Sequence, residues 1–260
     1  MYITSKIKTM ISVFATFGLQ GLIDLILRKR SSKGKLVAPQ RSDFESLGLT
    51  AYVLDSKNVT SILNFPEVFD MMEEYLVLHK AWIDKISAPR NQFFNQNFDL
   101  GDSMGLLIYC YVRLMKPQRV IETGVAAGVS TSVLLEALQR NQGGGELVSI
   151  DITEKVGEVI PIHLKVNWKL EVLSKRNYEN SFLSILKKNT DCEVFLHDSN
   201  HSDEWQLFEF NNARTELSNC SVFFFDDVSP SLVRNVQRNF PDFRIYIFDE
   251  GRKFSGAFFR

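Results

Sequence analysis

Downstream of Pro117 the chain alternates between short apolar runs and segments with helical spacing. Runs such as Val222–Phe225 are apolar at consecutive positions, which is typical of a strand covered on both faces. Strands that alternate with helices predict a parallel sheet flanked by helices. The predicted strands are 119–123, 147–151, 169–173, 193–198 and 222–227, and the predicted helices lie near 130–141, 182–189, 203–217 and 231–240.

The last two apolar runs, Arg244–Phe248 and Phe254–Phe259, are separated by a short turn around Gly251. A parallel connection needs about a dozen residues or more, so these strands are predicted to form an antiparallel hairpin. The predicted fold class is therefore α/β: a Rossmann-like, mostly parallel, seven-stranded sheet with helices on both faces and an antiparallel C-terminal hairpin.

Two helices are predicted upstream of the sheet. Apolar residues between Val68 and Leu76 recur with helical spacing, and a second helix is expected from about Asp102, an N-cap candidate, to Met115. Residues 31–56 are polar and irregular. We therefore divide the chain into an amphipathic N-terminal helix at 1–30, a linker and helical lid or cap at 31–100, and a large α/β domain at 101–260.

The apolar stretch Met10–Leu27 could be mistaken for a membrane span. Its polar residues Ser12, Thr16, Gln20 and Asp24 recur every fourth position, which gives a helix one polar stripe. This pattern favours an amphipathic helix. Two roles stay open: packing on this chain or on a partner subunit, including a second copy, and peripheral contact with a membrane.

The composition argues against several kinds of partner and site. The chain has 30 basic and 31 acidic side chains and a net charge of −1, which argues against a nucleic-acid partner. Its three cysteines form no C-x-x-C pair, so neither a disulfide framework nor a thiolate zinc site is supported. A cytoplasmic location fits best, peripheral to a membrane if the N-terminal helix binds one.

The first predicted strand runs directly into a turn and then a helix. Gly124 permits a tight turn, while Ala126 and Gly128 let a ligand approach the backbone at the helix N-terminus. Asp151 ends the next strand, where it can accept hydrogen bonds from the ribose hydroxyls of an adenosyl group. A close helix–strand crossing is the structural alternative. The dinucleotide pattern G-x-G-x-x-G is not matched, because position 126 is Ala.

Glu122 before the turn, Asp151 after the next strand and the terminal hairpin together resemble the class I S-adenosylmethionine-dependent methyltransferases, over about residues 99–260. The resemblance implies that S-adenosyl-L-methionine is the cofactor, that Glu122 binds its methionine amino group directly or through water, and that Asp151 binds the ribose. The adenine contact, expected near Ser174 and Lys175, stays open. The further residues expected to line the cofactor turn are Thr123, Gly124, Ala126, Gly128 and Ser130.

Three carboxylates end neighbouring predicted strands: Asp198 follows the fourth strand, and Asp226 and Asp227 follow the fifth. Adjacent parallel strands lie about 4.8 Å apart, so these groups should meet over one cleft. Their mutual repulsion favours a cation such as Mg²⁺ between them. His201 follows Asp198 by three residues and can accept a proton near neutral pH.

The Asp-Ser-x-His stretch with the paired acid resembles the metal-dependent O-methyltransferases of the macrocin and cephalosporin-pathway type. The resemblance implies that Asp198, Asp226 and Asp227 are metal ligands, that Asp198 and His201 are catalytic with His201 as the base, and that the acceptor is a small polyhydroxylated molecule such as a sugar, glycan or secondary metabolite.

Other interpretations remain open. Asp198 can cap a helix or contact the cofactor without a metal, and His201 can be a surface residue. His197 is expected in the core, because strand alternation turns it away from Asp198. The alternative functions are a metal-independent small-molecule methyltransferase and a non-catalytic, adenosylmethionine-binding or membrane-associated scaffold.

Overall fold

A computed structural model describes residues 39–53, 55–87, 100–251 and 253–260. The N-terminal helix predicted at 1–30 lies outside these residues, and its role stays a prediction. Within the described part of the chain, no helix is both long and apolar enough to cross a bilayer.

One sheet of eight strands forms the centre of the molecule, in the order β1-β7-β8-β6-β5-β2-β3-β4. Every neighbouring pair is parallel except the two that β8 makes with β6 and β7. The predicted α/β fold with an antiparallel C-terminal hairpin is thereby confirmed. The strands are β1 Ala51–Tyr52, β2 Arg119–Thr123, β3 Glu146–Asp151, β4 Trp168–Val172, β5 Val194–His197, β6 Val222–Phe225, β7 Arg244–Asp249 and β8 Phe254–Phe259.

Helices flank this sheet and precede it. The described helices are α1 Arg41–Glu45, α2 Ser56–Leu63, α3 Val68–Ser87, α4 Asp102–Met115, α5 Val129–Arg140, α6 Tyr178–Lys188, α7 Asp203–Glu216 and α8 Pro230–Asn239, with a 3₁₀ helix at Ile162–Asn167. Because α4 begins at Asp102, its N-cap is Gly101 and not Asp102 as predicted.

The central strands are buried on both faces, as their continuous apolar sequences predict. In β6, Val222 and Phe224 belong to one core cluster, whereas Phe223 and Phe225 belong to the cluster on the opposite face. Successive side chains of a strand point to opposite faces, so this strand contributes equally to both. The two clusters hold the strand ends in fixed register.

The eighth strand was not predicted. Residues 51–52 lie in a stretch that the sequence indicates to be irregular, yet they pair in parallel with β7 at the edge of the sheet. Nearby, Phe44 of α1 is buried against Phe254, with ring centroids 4.8 Å apart. Two residues are too few to show a periodicity of two, which explains why the pattern missed this strand.

The helices between 56 and 115 pack on one face of the sheet. Val59, Met72 and Tyr75 share a core cluster with α4 and with the inward residues of the sheet. Arg113 of α4 binds Glu74 of α3 through its Nε atom at 2.8 Å. This segment therefore contributes to the main core.

The carboxyl ends of β2, β3, β5 and β6 lie at one edge of the sheet, because these strands are mutually parallel. β7 runs parallel to β6, so the turn between β7 and β8 lies at the same edge. The Val228 amide, after β6, donates to the Phe254 carbonyl at 2.7 Å and fixes that turn beside the end of β6. Ligands of open α/β sheets bind at this edge.

Candidate active site

The turn after β2 has a left-handed backbone at three positions: Gly124 (φ 80°), Ala126 (φ 47°) and Gly128 (φ 98°). A Cβ at Gly124 would overlap the backbone of Asp198, and one at Gly128 would overlap the side chain of Ile160. Both glycines are therefore required by backbone conformation and by close packing. These close approaches join the turn to the loops that carry Asp198 and Ile160, so the helix–strand crossing considered as an alternative stays untested.

Asp151 holds this turn in place. Its carboxylate accepts hydrogen bonds from the amides of Val125 at 2.9 Å, Ile152 at 2.7 Å and Thr153 at 3.2 Å. Burial raises the pKa of Asp151, and the backbone donors oppose that effect. The Ala126 amide also acts on this carboxylate, so the backbone of the turn takes up most of its roughly four acceptor positions.

Glu122 lies beneath the turn and is fully buried. Its carboxylate accepts hydrogen bonds from the hydroxyls of Ser130 at 2.6 Å, Thr131 at 2.7 Å and Ser149 at 2.7 Å. Burial raises the pKa of Glu122 to about 7, although the three hydroxyl donors act in the opposite direction. Glu122 and Ser130 therefore bind each other, and their contact with a cofactor stays a prediction.

A second buried carboxylate, Glu209 of α7, joins the end of β2 to the loop that follows β5. Its Oε2 atom accepts from the Thr123 hydroxyl at 2.6 Å and lies 2.7 Å from Nδ1 of His197. Its Oε1 atom accepts from the Ser199 hydroxyl at 2.8 Å and from the indole of Trp205. Burial alone would raise the pKa of Glu209, but His197 and the hydroxyl donors outweigh it and lower that pKa.

Sequence reasoning missed Glu209, and it assigned Thr123 to the cofactor turn, whereas the Thr123 hydroxyl binds Glu209. A signal was present in the helical spacing: Gln206, Glu209, Phe210 and Ala213 form the buried face of α7. An acid on the apolar face of a helix needs partners. Those partners come from β2 and β5, which local pattern alone does not identify.

Asp198, His201 and Asp226 form a compact group at the sheet edge. Each offers one ligand atom, and these atoms lie within 4.8 Å of one another. The Oδ1 atom of Asp226 is buried and has no hydrogen-bond partner among the described residues. Burial and the neighbouring Asp226 raise the pKa of Asp198 well above its ordinary value.

Asp227 lies next to this group. Nε2 of His201 is 3.9 Å from Oδ1 of Asp198 and 3.8 Å from Oδ2 of Asp227, so the imidazole lies between the two carboxylates. Partial burial and the neighbouring His197 lower the pKa of His201, whereas Asp226 and Asp227 act in the opposite direction, and 35% of the side chain stays exposed. His197 itself is fully buried, as predicted, but its ring lies against that of His201, with centroids 5.8 Å apart.

A lysine also reaches the group. The ammonium of Lys253, in the turn between β7 and β8, contacts Oδ2 of Asp226. Burial opposes the charge of Lys253, but Asp226 and Asp198 outweigh it and raise the lysine pKa. Sequence reasoning missed this residue, although a hairpin turn after a strand parallel to β6 has to lie at this edge.

The order of β2 to β8 is β7-β8-β6-β5-β2-β3-β4, which is the sheet expected from the sequence resemblance, with its antiparallel hairpin inserted beside β6. Residues 121–228, which include the glycine turn, Asp151 and the acidic group, match the family model described as a methyltransferase domain. Residues 121–228 therefore form a methyltransferase domain. The metal-dependent subtype does not follow from this match.

Solved structures that resemble this one include an O-methyltransferase from Bacillus cereus in complex with S-adenosylhomocysteine. The sequence identity is 17% and the TM-score is 0.46, and the alignment covers 78% of this chain and 96% of that one. The tomaymycin-synthesis O-methyltransferase TomG of Streptomyces achromogenes, in complex with S-adenosylmethionine, has 16% identity and a TM-score of 0.45, covering 69% and 94%. The S-adenosylhomocysteine-bound methyltransferase PaMTH1 of Podospora anserina has 12% identity and a TM-score of 0.48, covering 82% and 100%. No functionally curated protein matches the sequence significantly.

The methyltransferase domain presents groups that fit its cofactor and a cation. Beside the glycine turn, the Asp151 carboxylate lies at the end of β3, and Ile152 exposes 38% of its surface as an apolar contact. At the acidic group, the carboxylate oxygens and an imidazole nitrogen are metal ligands suited to a divalent ion. The predicted metal ligands were Asp198, Asp226 and Asp227. In the compact group His201 takes the place of Asp227, which lies beside it.

The Glu209 network generates a prediction about stability. Replacing Glu209→Gln should lower the free energy of unfolding at pH 7 by about 3 kcal/mol, because His197 and the hydroxyls lose their buried anionic partner. The pKa of Glu209 is depressed in the folded protein. Its contribution is therefore present above the unfolded value of about 4.3 and is lost as the pH falls through the folded pKa.

Urea titrations between pH 3 and pH 8 measure this difference, which should shrink below about pH 4.3. Glu204→Gln, at an exposed position on the same helix, is the matched control and should change the free energy by less than about 1 kcal/mol. A difference that stays constant over the whole pH range would contradict the assigned role of the Glu209 charge.

Proposed function

We propose that this protein transfers the methyl group of S-adenosylmethionine to a hydroxyl of a small polyhydroxylated acceptor. The acceptor is a sugar, a glycan or a secondary metabolite. A divalent metal ion assists the transfer, and Mg²⁺ is the ion used in the test below. One observation supports the proposal most directly. The group of Asp198, His201 and Asp226 lies at the same sheet edge as the glycine turn of the methyltransferase domain, and Asp198 packs directly on Gly124.

The cofactor is assigned to the edge formed by the turn at 124–128 and the end of β3. In this assignment Asp151 accepts hydrogen bonds from the ribose hydroxyls, and Ile152 covers an apolar face of the nucleoside. Glu122 and Ser130 support the turn from below, and Gly124, Ala126 and Gly128 leave its backbone open to the methionine end. The adenine contact near Ser174 and Lys175 remains part of the proposal.

The acceptor is assigned to the space above Asp198, Asp226 and His201. His201 is the proposed base: its Nε2 atom, which lies between Asp198 and Asp227, takes the proton of the acceptor hydroxyl, and Asp198 lies beside that atom. A divalent ion held by Asp198, Asp226 and Asp227 would lower the pKa of that hydroxyl when bound. The oxygen then attacks the methyl group in line: the O–C bond forms as the S–C bond of S-adenosylmethionine breaks, and S-adenosylhomocysteine leaves with the electron pair.

A second candidate function is methyl transfer without a metal. The observation in its favour is the contact between the Lys253 ammonium and Asp226, which supplies positive charge to the acidic group from within the chain. In that case His201 alone removes the proton from the acceptor. Dependence on a divalent ion distinguishes the two candidates.

S-adenosylhomocysteine should bind with a Kd of about 10⁻⁶ M, and Asp151→Asn should weaken it at least about tenfold, because the ribose loses a charge-assisted contact. Isothermal titration calorimetry measures both values. Asp242→Asn, exposed and distant in sequence, is the control and should bind as the unmodified protein does. Unchanged affinity in Asp151→Asn, or tight binding of NAD, would refute the cofactor assignment.

Methyl transfer to an accepted hydroxyl compound should stop when divalent ions are removed with EDTA and should return when Mg²⁺ is added in excess, because the three carboxylates need a cation to hold the acceptor oxygen. Transfer of a radiolabelled methyl group, followed over a panel of sugars and polyhydroxylated natural products, measures this. Full turnover after exhaustive chelation would select the metal-independent candidate.

His201→Ala should lower kcat by about 10²–10⁴-fold and leave the affinity for S-adenosylhomocysteine nearly intact, because a base acts on the acceptor and not on the cofactor. Steady-state kinetics and calorimetry on one preparation separate the two effects. Mn²⁺ affinity gives a further distinction, since it should stay unchanged if His201 is a base and fall if the ring is a ligand. Wild-type kcat at saturating acceptor would place the base elsewhere.

A further inference from the structure

The turn that carries Lys253 is held firmly at the sheet edge. The Glu250 amide donates to the Lys253 carbonyl at 3.0 Å, and the Glu250 carboxylate accepts from the Ser255 hydroxyl at 2.9 Å. That carboxylate lies against Gly101, the N-cap of α4, where a Cβ would overlap it. An anion at a helix N-terminus is stabilised by the free amides and the helix dipole. Glu250 and Ser255 are therefore held beside the N-terminus of α4, and the Lys253 carbonyl is bound to the Glu250 amide.

The two oxygens of Asp226 have different surroundings. Oδ2 contacts the ammonium of Lys253, whereas Oδ1 is buried and lacks a hydrogen-bond partner among the described residues. The Asp226 side chain is only 4% exposed. A buried carboxylate with one oxygen paired and one oxygen unsatisfied is short of positive charge or of a donor. Oδ1 is thus the oxygen open to a further donor or cation, which can be a protonated Asp198 carboxyl or an added ion.

We propose that Lys253 is the resident counter-ion of the metal-free site and that a divalent ion and the Lys253 ammonium are alternative occupants of the Asp226 carboxylate. The proposal rests on the metal assistance proposed above. It adds a specific residue to the site: binding of the ion displaces the ammonium from Asp226, and loss of the ion lets the ammonium return.

The divalent ion and the Lys253 ammonium exclude each other from Asp226 because both are positively charged. A divalent ion bound at Asp198 and Asp226 would lie within a few ångströms of the Lys253 ammonium, and like charges at that separation repel strongly where water is excluded. The lysine side chain has a flexible four-carbon stem, so the ammonium can leave Asp226 while the backbone of Lys253 stays in place. Its side chain is already 18% exposed, which gives the ammonium a short path to water.

The test compares Mn²⁺ binding, measured by electron paramagnetic resonance of the free ion, in the full-length protein and three variants. Lys253→Met removes the charge and retains the bulk of the stem, and it should bind Mn²⁺ at least about tenfold more tightly. Lys253→Arg keeps the charge and should bind no more tightly than the unmodified protein. Lys169→Met is the control, because Lys169 pairs with Glu171 on the edge strand β4.

A second measurement separates exchange from a general effect of charge. Without metal, Lys253→Met should unfold at a lower temperature than the unmodified protein, since Asp198 and Asp226 lose their counter-ion. At saturating Mn²⁺ the two melting temperatures should coincide, because the ammonium no longer contributes once the ion is bound. A difference of the same size with and without Mn²⁺ would overturn the exchange.

The outcomes also separate this proposal from the proposed function. Equal Mn²⁺ affinity in the unmodified protein and in Lys253→Met would overturn the exchange and leave metal-assisted transfer in place. No Mn²⁺ binding in either protein would overturn both the metal site and the exchange, and methyl transfer would then proceed by the metal-independent route. Tighter binding in Lys253→Met with coinciding melting temperatures at saturating Mn²⁺ supports the exchange.

Discussion

The cost of burying negative charge at one edge of the sheet governs this structure. Glu122, Asp198, Glu209 and Asp226 all lie at or beneath the carboxyl ends of the central strands, where water is scarce. An ionised carboxylate in such a place persists only when donors or a cation compensate for its lost hydration. The lost hydration of each carboxylate is replaced by different partners. These partners distinguish the carboxylates that stabilise the fold, Glu122 and Glu209, from Asp226, whose partner can be exchanged.

Two of the carboxylates are satisfied from within the fold. Three hydroxyls surround Glu122 and tie the end of β2, before the glycine turn, to β3 and α5. Glu209 takes two hydroxyls, an indole and the ring of His197, and so couples the end of β2 to the loop that carries Asp198. Groups with so many fixed partners are poorly placed to exchange them. They set the geometry of the site and leave reactivity to its neighbours.

Asp226 differs because its partner is a flexible ammonium and one of its oxygens has no partner among the described residues. A lysine is a compact charge on a mobile stem, and it can be displaced in a way that a packed hydroxyl cannot. The antiparallel hairpin makes this possible, since it returns the chain to the sheet edge directly beside the end of β6. The same hairpin that distinguishes the fold thus delivers a cation to the acidic group.

Local sequence determined most of the framework of this protein. Apolar periodicity placed the strands from 119 onward, Gly124 marked the turn, and Asp198, Asp226 and His201 were identified by their positions after strands. These features depend on neighbouring residues only. The tertiary structure alone decided that β1 joins the sheet, that Thr123 binds Glu209, and that Lys253 reaches Asp226. Each of these contacts joins segments far apart in the chain, and such pairing depends on packing of the whole fold, which no local pattern records.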